Sequence, residues 1–101
     1  MPSDFRFELT PEALGDIRGL LASSLSTWGP EQSRRYQGAL DRAFDNLTRF
    51  PNLGLQRDDL FAGCRVLRVE RHVVFYEVDE DIVRVARILH DRMDPRRSLG
   101  R

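Results

Sequence analysis

Side chains able to carry phosphodiester chemistry are concentrated in the C-terminal half of this sequence. Cleavage of RNA through its 2′-hydroxyl needs a base, an acid and a cation that stabilises the charged transition state. The cation can come from four arginines in predicted strands: Arg65, Arg68, Arg84 and Arg87. The proton carriers available to such chemistry are Tyr36, His72, Tyr76 and His90.

The two tyrosines fall where side chains normally pack. Tyr36 lies on the apolar stripe of a predicted helix, and Tyr76 shares a strand face with Val74 and Val78. For Tyr36 a core position is favoured, and for Tyr76 either core or interface packing is favoured over catalysis.

His90 is the histidine whose position best fits acid–base chemistry. It ends the last predicted strand beside Asp91 and Arg92, where small changes in environment move a histidine pKa across neutrality. The alternative is a structural histidine that fixes the C-terminal tail. His72 opens its strand and is interpreted as a hydrogen-bonded edge residue.

Other chemistries lack their sequence signatures. The sequence has no lysine, no glycine-rich phosphate loop, no serine nucleophile motif and no Cys–His spacing for a metal. The single cysteine, Cys64, opens an apolar strand and is interpreted as a small buried hydrophobe. The sequence predicts neither a metal site nor a cofactor.

The charge distribution excludes a strongly basic nucleic-acid binder. Sixteen basic and sixteen acidic residues cancel. Residues 65–101 carry nine arginines against seven acids, so this half is the better candidate for contact with an acidic partner. An ordinary solvated surface is the alternative.

Length and termini indicate one cytoplasmic domain over residues 1–101. A chain of 101 residues can bury a single core. It has no apolar run long enough to span a membrane, and the segment Met1–Arg6 lacks the apolar region of a signal peptide.

The elements that position these residues follow from periodicity. Residues 5–9 alternate like a strand, and Thr10-Pro11 begins a helix whose apolar stripe runs from Leu14 to Trp28. Gly29-Pro30 then separates it from a second helix, which ends near Phe50-Pro51.

The second half of the sequence predicts strands. Residues 52–63 are predicted to form a loop, and 64–69, 72–78 and 82–89 are predicted to form strands joined by tight turns. Residues 91–101 form a polar tail. The order β-α-α-β-β-β indicates an α+β fold, with an antiparallel sheet packed on one face by a two-helix hairpin and open on the other.

Five motifs, in order along the whole chain, resemble the ParE toxins of the RelE/ParE superfamily. They are Leu9-Thr10-Pro11-Glu12-Ala13, Trp28-Gly29, Phe50-Pro51-Asn52-Leu53-Gly54, Arg71-His72-Val73-Val74-Phe75-Tyr76 and Ile88-Leu89-His90-Asp91-Arg92-Met93-Asp94-Pro95.

The resemblance implies the toxin of a type II toxin–antitoxin system, of the kind associated with plasmid stabilisation. ParE-like members act on DNA gyrase through protein contact and are neutralised by a ParD-like antitoxin. This antitoxin is a ribbon-helix-helix protein, and the toxin contacts DNA only indirectly, through the antitoxin. One alternative is a RelE-like, ribosome-dependent mRNA endoribonuclease built on Arg65, Arg84 and His90. Another is a non-toxic homologue that retains only antitoxin binding. Since no lysine is present and no tyrosine follows Tyr76, a toxin that is not an enzyme is favoured.

The expected sites follow from this resemblance. Antitoxin binding is assigned to Arg65, Arg68, Arg84, Arg87 and Tyr76. Target binding is assigned to His90, Asp91, Arg92, Met93, Arg96 and Arg97. A homodimer through the helical hairpin, or a heterotetramer with antitoxin, is the expected assembly.

Overall fold

The computed structural model describes residues 5–99, which form one five-stranded sheet and three helices. The elements are β1 (Arg6–Leu9), α1 (Pro11–Trp28), α2 (Pro30–Arg49), β2 (Leu55–Gln56), β3 (Arg65–Val69), β4 (His72–Asp79), β5 (Ile82–His90) and α3 (Pro95–Ser98). The sheet order is β1-β5-β4-β3-β2, and α1 and α2 pack on one face. The predicted α+β class and the helical hairpin on one face are confirmed.

Three features differ from the sequence prediction. Strand β1 pairs with β5 in parallel, so the sheet is mixed, whereas an antiparallel sheet was predicted. A two-residue strand, β2, lies inside the predicted loop 52–63, and a short helix, α3, lies inside the predicted tail. Residues 100 and 101 of that tail lie outside the described residues. Alternation identifies a strand but not the direction of its partner, and two residues are too few to show a period.

The two turns that frame α1 are built as the sequence predicts. The Thr10 hydroxyl accepts a hydrogen bond from the Ala13 N–H at 3.1 Å and donates to the Ala86 carbonyl at 2.8 Å. One side chain thus caps α1 and ties it to β5. At the other end Gly29 has φ 94°, a conformation that glycine adopts without steric cost, so α2 starts at the next residue.

The main core lies between the hairpin and the sheet. Its buried residues are Ala13, Leu20, Leu40, Leu47, Val69, Val74, Tyr76, Val83, Val85 and Ile88. The core residues alternate in β4, as expected for a sheet with one face on a core. In β5 they alternate only as far as Val85, because the pairing with β4 is irregular beyond it. No helix within residues 5–99 has the length and apolar composition needed to cross a membrane.

The face of the sheet that points away from the hairpin, here called the second face, is covered where it is apolar. Leu60 and Cys64, from the loop over residues 57–64, pack against Phe75 and Leu89 in a second buried cluster, and Leu99 adds to it from the end of the chain. The prediction of an open second face is therefore wrong for this part. Burial of Cys64 is confirmed, and it raises the pKa of the thiol to about 11.

The rest of the second face is charged. Arg84 of β5 lies among carboxylates, with Nε 3.1 Å from Glu8 Oε1 and Nη1 3.4 Å from both Glu77 Oε2 and Asp79 Oδ2. Beside it, Arg6 pairs with Asp81 at 3.3 Å. Carboxylates outnumber arginines here, which is the reverse of the positive surface that the sequence predicts.

Candidate functional site

A cavity of about 970 Å³ lies on the hairpin side, bounded by α1, the start of α2, the adjoining ends of β4 and β5, and the segment after β5. We call it the groove. Small residues of α1, Gly15, Gly19 and Ser23, form one wall, and Leu20 and Ile88 lie at its base. The groove is a concave surface with an apolar base inside a polar rim.

The glycines of the α1 wall are not required by the fold. Apart from its chain neighbours and the backbone of its own helix, a Cβ atom built on Gly15 or Gly19 meets no atom of residues 5–99 within 4 Å. Each helical glycine nevertheless costs about 1 kcal/mol relative to alanine. Since no contact inside the chain explains two of them on one wall, space for another molecule is the simpler explanation.

Large apolar side chains stand exposed at the mouth of the groove. Trp28 at the end of α1 is 73% exposed and Met93 is 47% exposed, and both line the cavity. Leu25, one turn before Trp28, is 50% exposed but does not line the cavity. Apolar side chains gathered around a concave site are typical of surfaces that a partner covers.

A row of polar side chains forms the end of the groove. The Tyr36 hydroxyl donates to the Val69 carbonyl at 3.2 Å and contacts His72 Nδ1. The roles in this contact depend on the His72 tautomer: when the hydroxyl proton is directed to Val69, His72 donates through Nδ1 and its Nε2 is an acceptor. The His72 ring lies edge-on to the His90 ring, with centroids 5.3 Å apart.

Burial controls ionisation in this row. It raises the pKa of Tyr36 to about 12, so the phenol stays protonated at neutral pH. Burial, reinforced by the neighbouring His90, lowers the pKa of His72 and favours the neutral imidazole. His90 Nδ1 lies 3.1 Å from Asp91 Oδ1, and Arg68 Nη2 lies 2.6 Å from Asp91 Oδ2.

An irregular strand pairing brings the two histidines together. The register of β4 and β5 shifts by one residue between Phe75 and Tyr76. A regular hairpin continued from Asp79 and Ile82 would place Leu89 opposite His72, but the shift places His90 there. The sequence shows both histidines but gives no signal of the bulge, so their proximity could not be predicted.

An ion pair joins the groove wall to the end of the chain. Arg87 Nε and Nη2 contact the two oxygens of Asp16 on α1 at 2.8 and 3.0 Å, and Asp16 Oδ2 also accepts the Ile88 N–H at 2.9 Å. Arg87 Nη1 donates to the Ser98 carbonyl at 2.9 Å. This bidentate pair raises the pKa of Arg87 and fixes α1 against β5.

The other arginines predicted to bind antitoxin are also engaged within the chain. Arg65 donates to the carbonyls of Asn52 at 3.2 Å and Gly54 at 2.7 Å, and Arg68 holds Asp91 as described. Arg84 is surrounded by three carboxylates. The four predicted arginines therefore do not form one free positive surface.

Tyr76 is not available to a partner, which corrects its assignment to antitoxin binding. Its side chain is fully buried, and its hydroxyl donates to the Pro51 carbonyl and accepts the Gly54 N–H, each at 2.8 Å. Gly54 is required by this contact, because a Cβ there would lie 2.7 Å from the Tyr76 hydroxyl and from the Val66 carbonyl. Tyr76 holds the 51–54 segment in place.

The three candidates for RNA cleavage do not converge. Arg65 is held by loop carbonyls at the start of β3, Arg84 lies on the charged part of the second face, and His90 lies at the end of the groove. A scissile phosphate needs its cation and its proton carriers within hydrogen-bond reach of one another.

The predicted target-binding residues fall in two places. His90, Arg92 and Met93 line the groove, and Asp91 is tied to His90 beside them. In α3, Arg96 pairs with Asp59 of the 57–64 loop at 3.0 Å, and Arg97 is exposed. The residues of the tail that border the groove are thus separate from α3, which contacts the 57–64 loop over the second face.

Comparison with known proteins identifies the family. A family model described as the ParE toxin of the type II toxin–antitoxin system parDE matches residues 7–95. The chain belongs to the ParE toxin family. It is 33% identical over 95 residues to toxin ParE1 of Mycobacterium tuberculosis, covering 93% of this chain and 97% of that protein. It is 36% identical over 88 residues to toxin ParE of Escherichia coli, covering 85% and 84%.

Solved structures show the same fold. The chain resembles a chromosomal ParDE toxin–antitoxin system from P. aeruginosa with a TM-score of 0.73 at 19% identity, covering 85% of this chain and 95% of that one. It resembles the RelBE2 toxin–antitoxin complex of Mycobacterium tuberculosis with a TM-score of 0.62 at 24% identity, covering 87% and 99%. As a ParE toxin of the RelE/ParE superfamily, the chain is the toxin of a type II system and has an antitoxin as its partner.

Proposed function

We propose that this ParE toxin acts in the cytoplasm by protein contact with DNA gyrase, and that a ParD-like, ribbon-helix-helix antitoxin neutralises it by placing a helix in the groove. The observation that carries the proposal is the groove itself, with its apolar base and its wall of small residues. Helix-in-groove recognition uses such a surface, because the apolar face of the incoming helix replaces water along the base.

The α1 wall suits a helix rather than an extended strand. Gly15, Gly19 and Ser23 recur every four residues, so they line up along one side of α1. Small residues at this spacing let a second helix approach closely. Trp28 and Met93 then provide apolar contacts at the mouth, where they would otherwise stay exposed to water.

Protein contact is favoured over catalysis because the arginines needed for catalysis are already engaged. Arg65 and Arg84 are held by loop carbonyls and by carboxylates of this chain, at separate places in the fold. The motif from Ile88 to Pro95, one of the five that resemble the ParE toxins, borders the groove as far as Met93 and leads into α3. We assign target contact to this motif and to the exposed residues of α3.

The assembly follows from the partner. Ribbon-helix-helix proteins are dimers, so one antitoxin dimer carries two toxin chains in a heterotetramer that contacts DNA only through the antitoxin. Leu14 and Leu25 on α1 are exposed, and they are the residues through which a solitary toxin would form a homodimer across the hairpin.

Filling the groove tests the antitoxin site. Gly19→Phe places a ring in the open space beside α1, and its expected effect is a loss of antitoxin affinity of about 100-fold, which is within the range for disrupting a central contact of an interface. The matched control is Ala22→Phe on the same helix, since Ala22 is exposed and does not line the groove. Calorimetry and the fluorescence of Trp28, the one tryptophan, report binding. Equal affinities for the two variants would contradict the assignment.

The molecular target is tested with purified components. The toxin added to gyrase, ATP and relaxed plasmid is expected to accumulate cleaved DNA, and toxin premixed with antitoxin is not. The same preparation added to a translation extract should leave mRNA intact. Cleavage of mRNA in that extract, with no effect on gyrase, would establish the RelE-like alternative.

A further inference from the structure

The arginines of this chain divide into engaged and free side chains. Eight of those in residues 5–99 form a side-chain hydrogen bond or ion pair with another described residue, and seven do not. Five of the seven line the groove or an adjoining cleft: Arg34, Arg35, Arg42, Arg71 and Arg92. We call these five residues the arginine belt. Most of the free arginines among residues 5–99 thus lie on one part of the surface, and the four arginines predicted to bind antitoxin are not among them.

The cleft continues the groove onto α2. It measures about 250 Å³ and is lined by Arg34, Arg35 and Arg42. Gln32, Tyr36 and Glu70 line both cavities, so the two meet at the start of α2 and at the β3–β4 turn. An elongated ligand lying in the groove would reach the cleft without leaving the surface.

One side of the cleft lies over a glycine. A Cβ atom on Gly38 would come within 3.4 Å of Arg42 Nη1, so the guanidinium lies against the bare backbone of α2. Arg34 and Arg35 precede Gly38 by one turn. Guanidinium groups of neighbouring turns therefore surround one small depression.

The linings of the groove and the cleft have an excess of positive charge when ion pairs formed within the chain are left out of the count. Asp16 is engaged by Arg87 and Asp91 by Arg68. The belt then faces a single lining carboxylate without a side-chain partner among the described residues, Glu70. Glu31 and Asp41 lie on α2 but do not line the cleft. Unpaired guanidinium groups are strong bidentate donors to carboxylates.

We propose that the arginine belt binds an acidic segment of the antitoxin, continuous with the helix that occupies the groove. This inference rests on the proposed function of the groove. The ligand is a polypeptide because the belt is continuous with the apolar base at Leu20 and Ile88, which nucleic acid does not fill. It is acidic because cations without partners border the path that it follows.

Three substitutions test the belt without touching the groove base. Arg34→Gln, Arg35→Gln and Arg42→Gln are combined in one variant. The control combines Arg6→Gln, Arg18→Gln and Arg49→Gln, which remove the same charge outside both cavities. Dissociation constants for the purified cognate antitoxin are measured by calorimetry at about 0.05 and 0.3 M salt, where screening differs most.

The belt variant is expected to lose about tenfold in affinity at low salt, as three exposed ion pairs of up to about 1 kcal/mol each allow. Its affinity should also depend less on salt than that of the wild type. The control should change less than about threefold, because long-range charge alone is screened. In a second antitoxin, the acidic residues C-terminal to the DNA-binding domain are changed to amides. This antitoxin should bind the wild-type toxin and the belt variant with equal affinity.

Other outcomes separate the two proposals. Equal losses in the belt and control variants, or no loss in either, would overturn the belt. If the belt variant binds normally while Gly19→Phe does not, the groove assignment stands and the belt inference fails. If Gly19→Phe also binds normally, the proposed function fails. The inference would also be overturned if a DNA duplex of about 20 base pairs bound the free toxin through the same arginines while the antitoxin with amides bound the toxin as tightly as the unchanged antitoxin. The belt would then be a nucleic-acid site.

Discussion

The groove and the apolar part of the second face lie on opposite sides of one sheet, and other residues of the chain cover only the second. On the second face, Leu60 and Leu99 close over Phe75 and Leu89. At the groove, Trp28 is 73% exposed and Met93 is 47% exposed. The same layer of strands thus supports one surface that the chain completes and one that it leaves incomplete.

The contrast separates stability from recognition. Residues that serve the fold find their partners inside the chain, as Tyr76 does with Pro51 and Gly54. Residues without internal partners, such as the belt arginines and the glycines of α1, gather around the groove. Substitutions on the two surfaces should therefore move different measurements.

The largest effect on stability is expected at the covered surface. Leu60→Ala removes a 5% exposed side chain from the cluster over Phe75 and should lower the free energy of unfolding by about 2–4 kcal/mol. Trp28→Ala, at 73% exposure, should change it by less than about 1 kcal/mol but weaken antitoxin binding. Urea unfolding and calorimetry of both variants measure the two effects. Equal destabilisation would mean that the groove mouth is part of the core.

Two glycine substitutions should change the free energy of unfolding in opposite directions. Gly54→Ala places a Cβ 2.7 Å from the Tyr76 hydroxyl and the Val66 carbonyl, so destabilisation of about 1–3 kcal/mol is expected. Gly19→Ala meets open space in a helix and should stabilise the toxin by about 0.5–1 kcal/mol while reducing antitoxin affinity. Thermal unfolding monitored by circular dichroism compares them with the wild type. A stable Gly54→Ala, or a Gly19→Ala with unchanged affinity, would remove the distinction between the two surfaces.

Local signals predicted most of the fold. Thr10-Pro11 and Gly29-Pro30 mark the ends of α1, and alternation in residues 72–78 and 82–89 marks the central strands. Each of these features acts within a few residues along the chain, through caps, φ preferences or side-chain alternation. The parallel pairing of β1 with β5 joins residues about 75 positions apart, which no local pattern encodes.

The site was harder to predict for the same reason. Arginine, histidine and tyrosine were recognised as candidates by type, but their availability depends on distant partners. Arg87 is engaged by Asp16, 71 positions away, and Arg84 by Glu8, 76 positions away. Arg34, Arg35 and Arg42 of α2 match no motif in the sequence, and only the pairing of other arginines within residues 5–99 sets them apart.

The smallest expected effect is a pH dependence of the free energy of unfolding, and it tests how well the end of the groove is shielded from water. Burial and the adjacent His90 lower the pKa of His72, while Asp91 and Asp16 oppose this. The unfolded chain, with an ordinary pKa of about 6.5, then binds more protons than the folded one. The free energy of unfolding should therefore fall as pH drops below this value, and level off below the folded pKa.

His72→Gln should flatten that dependence in urea unfolding between about pH 7.5 and 5, because glutamine can still donate to Tyr36 but does not titrate. His90→Gln is the matched control, and it should retain most of the slope, since burial is the larger cause of the His72 shift. An unchanged slope in His72→Gln would show that another group is responsible.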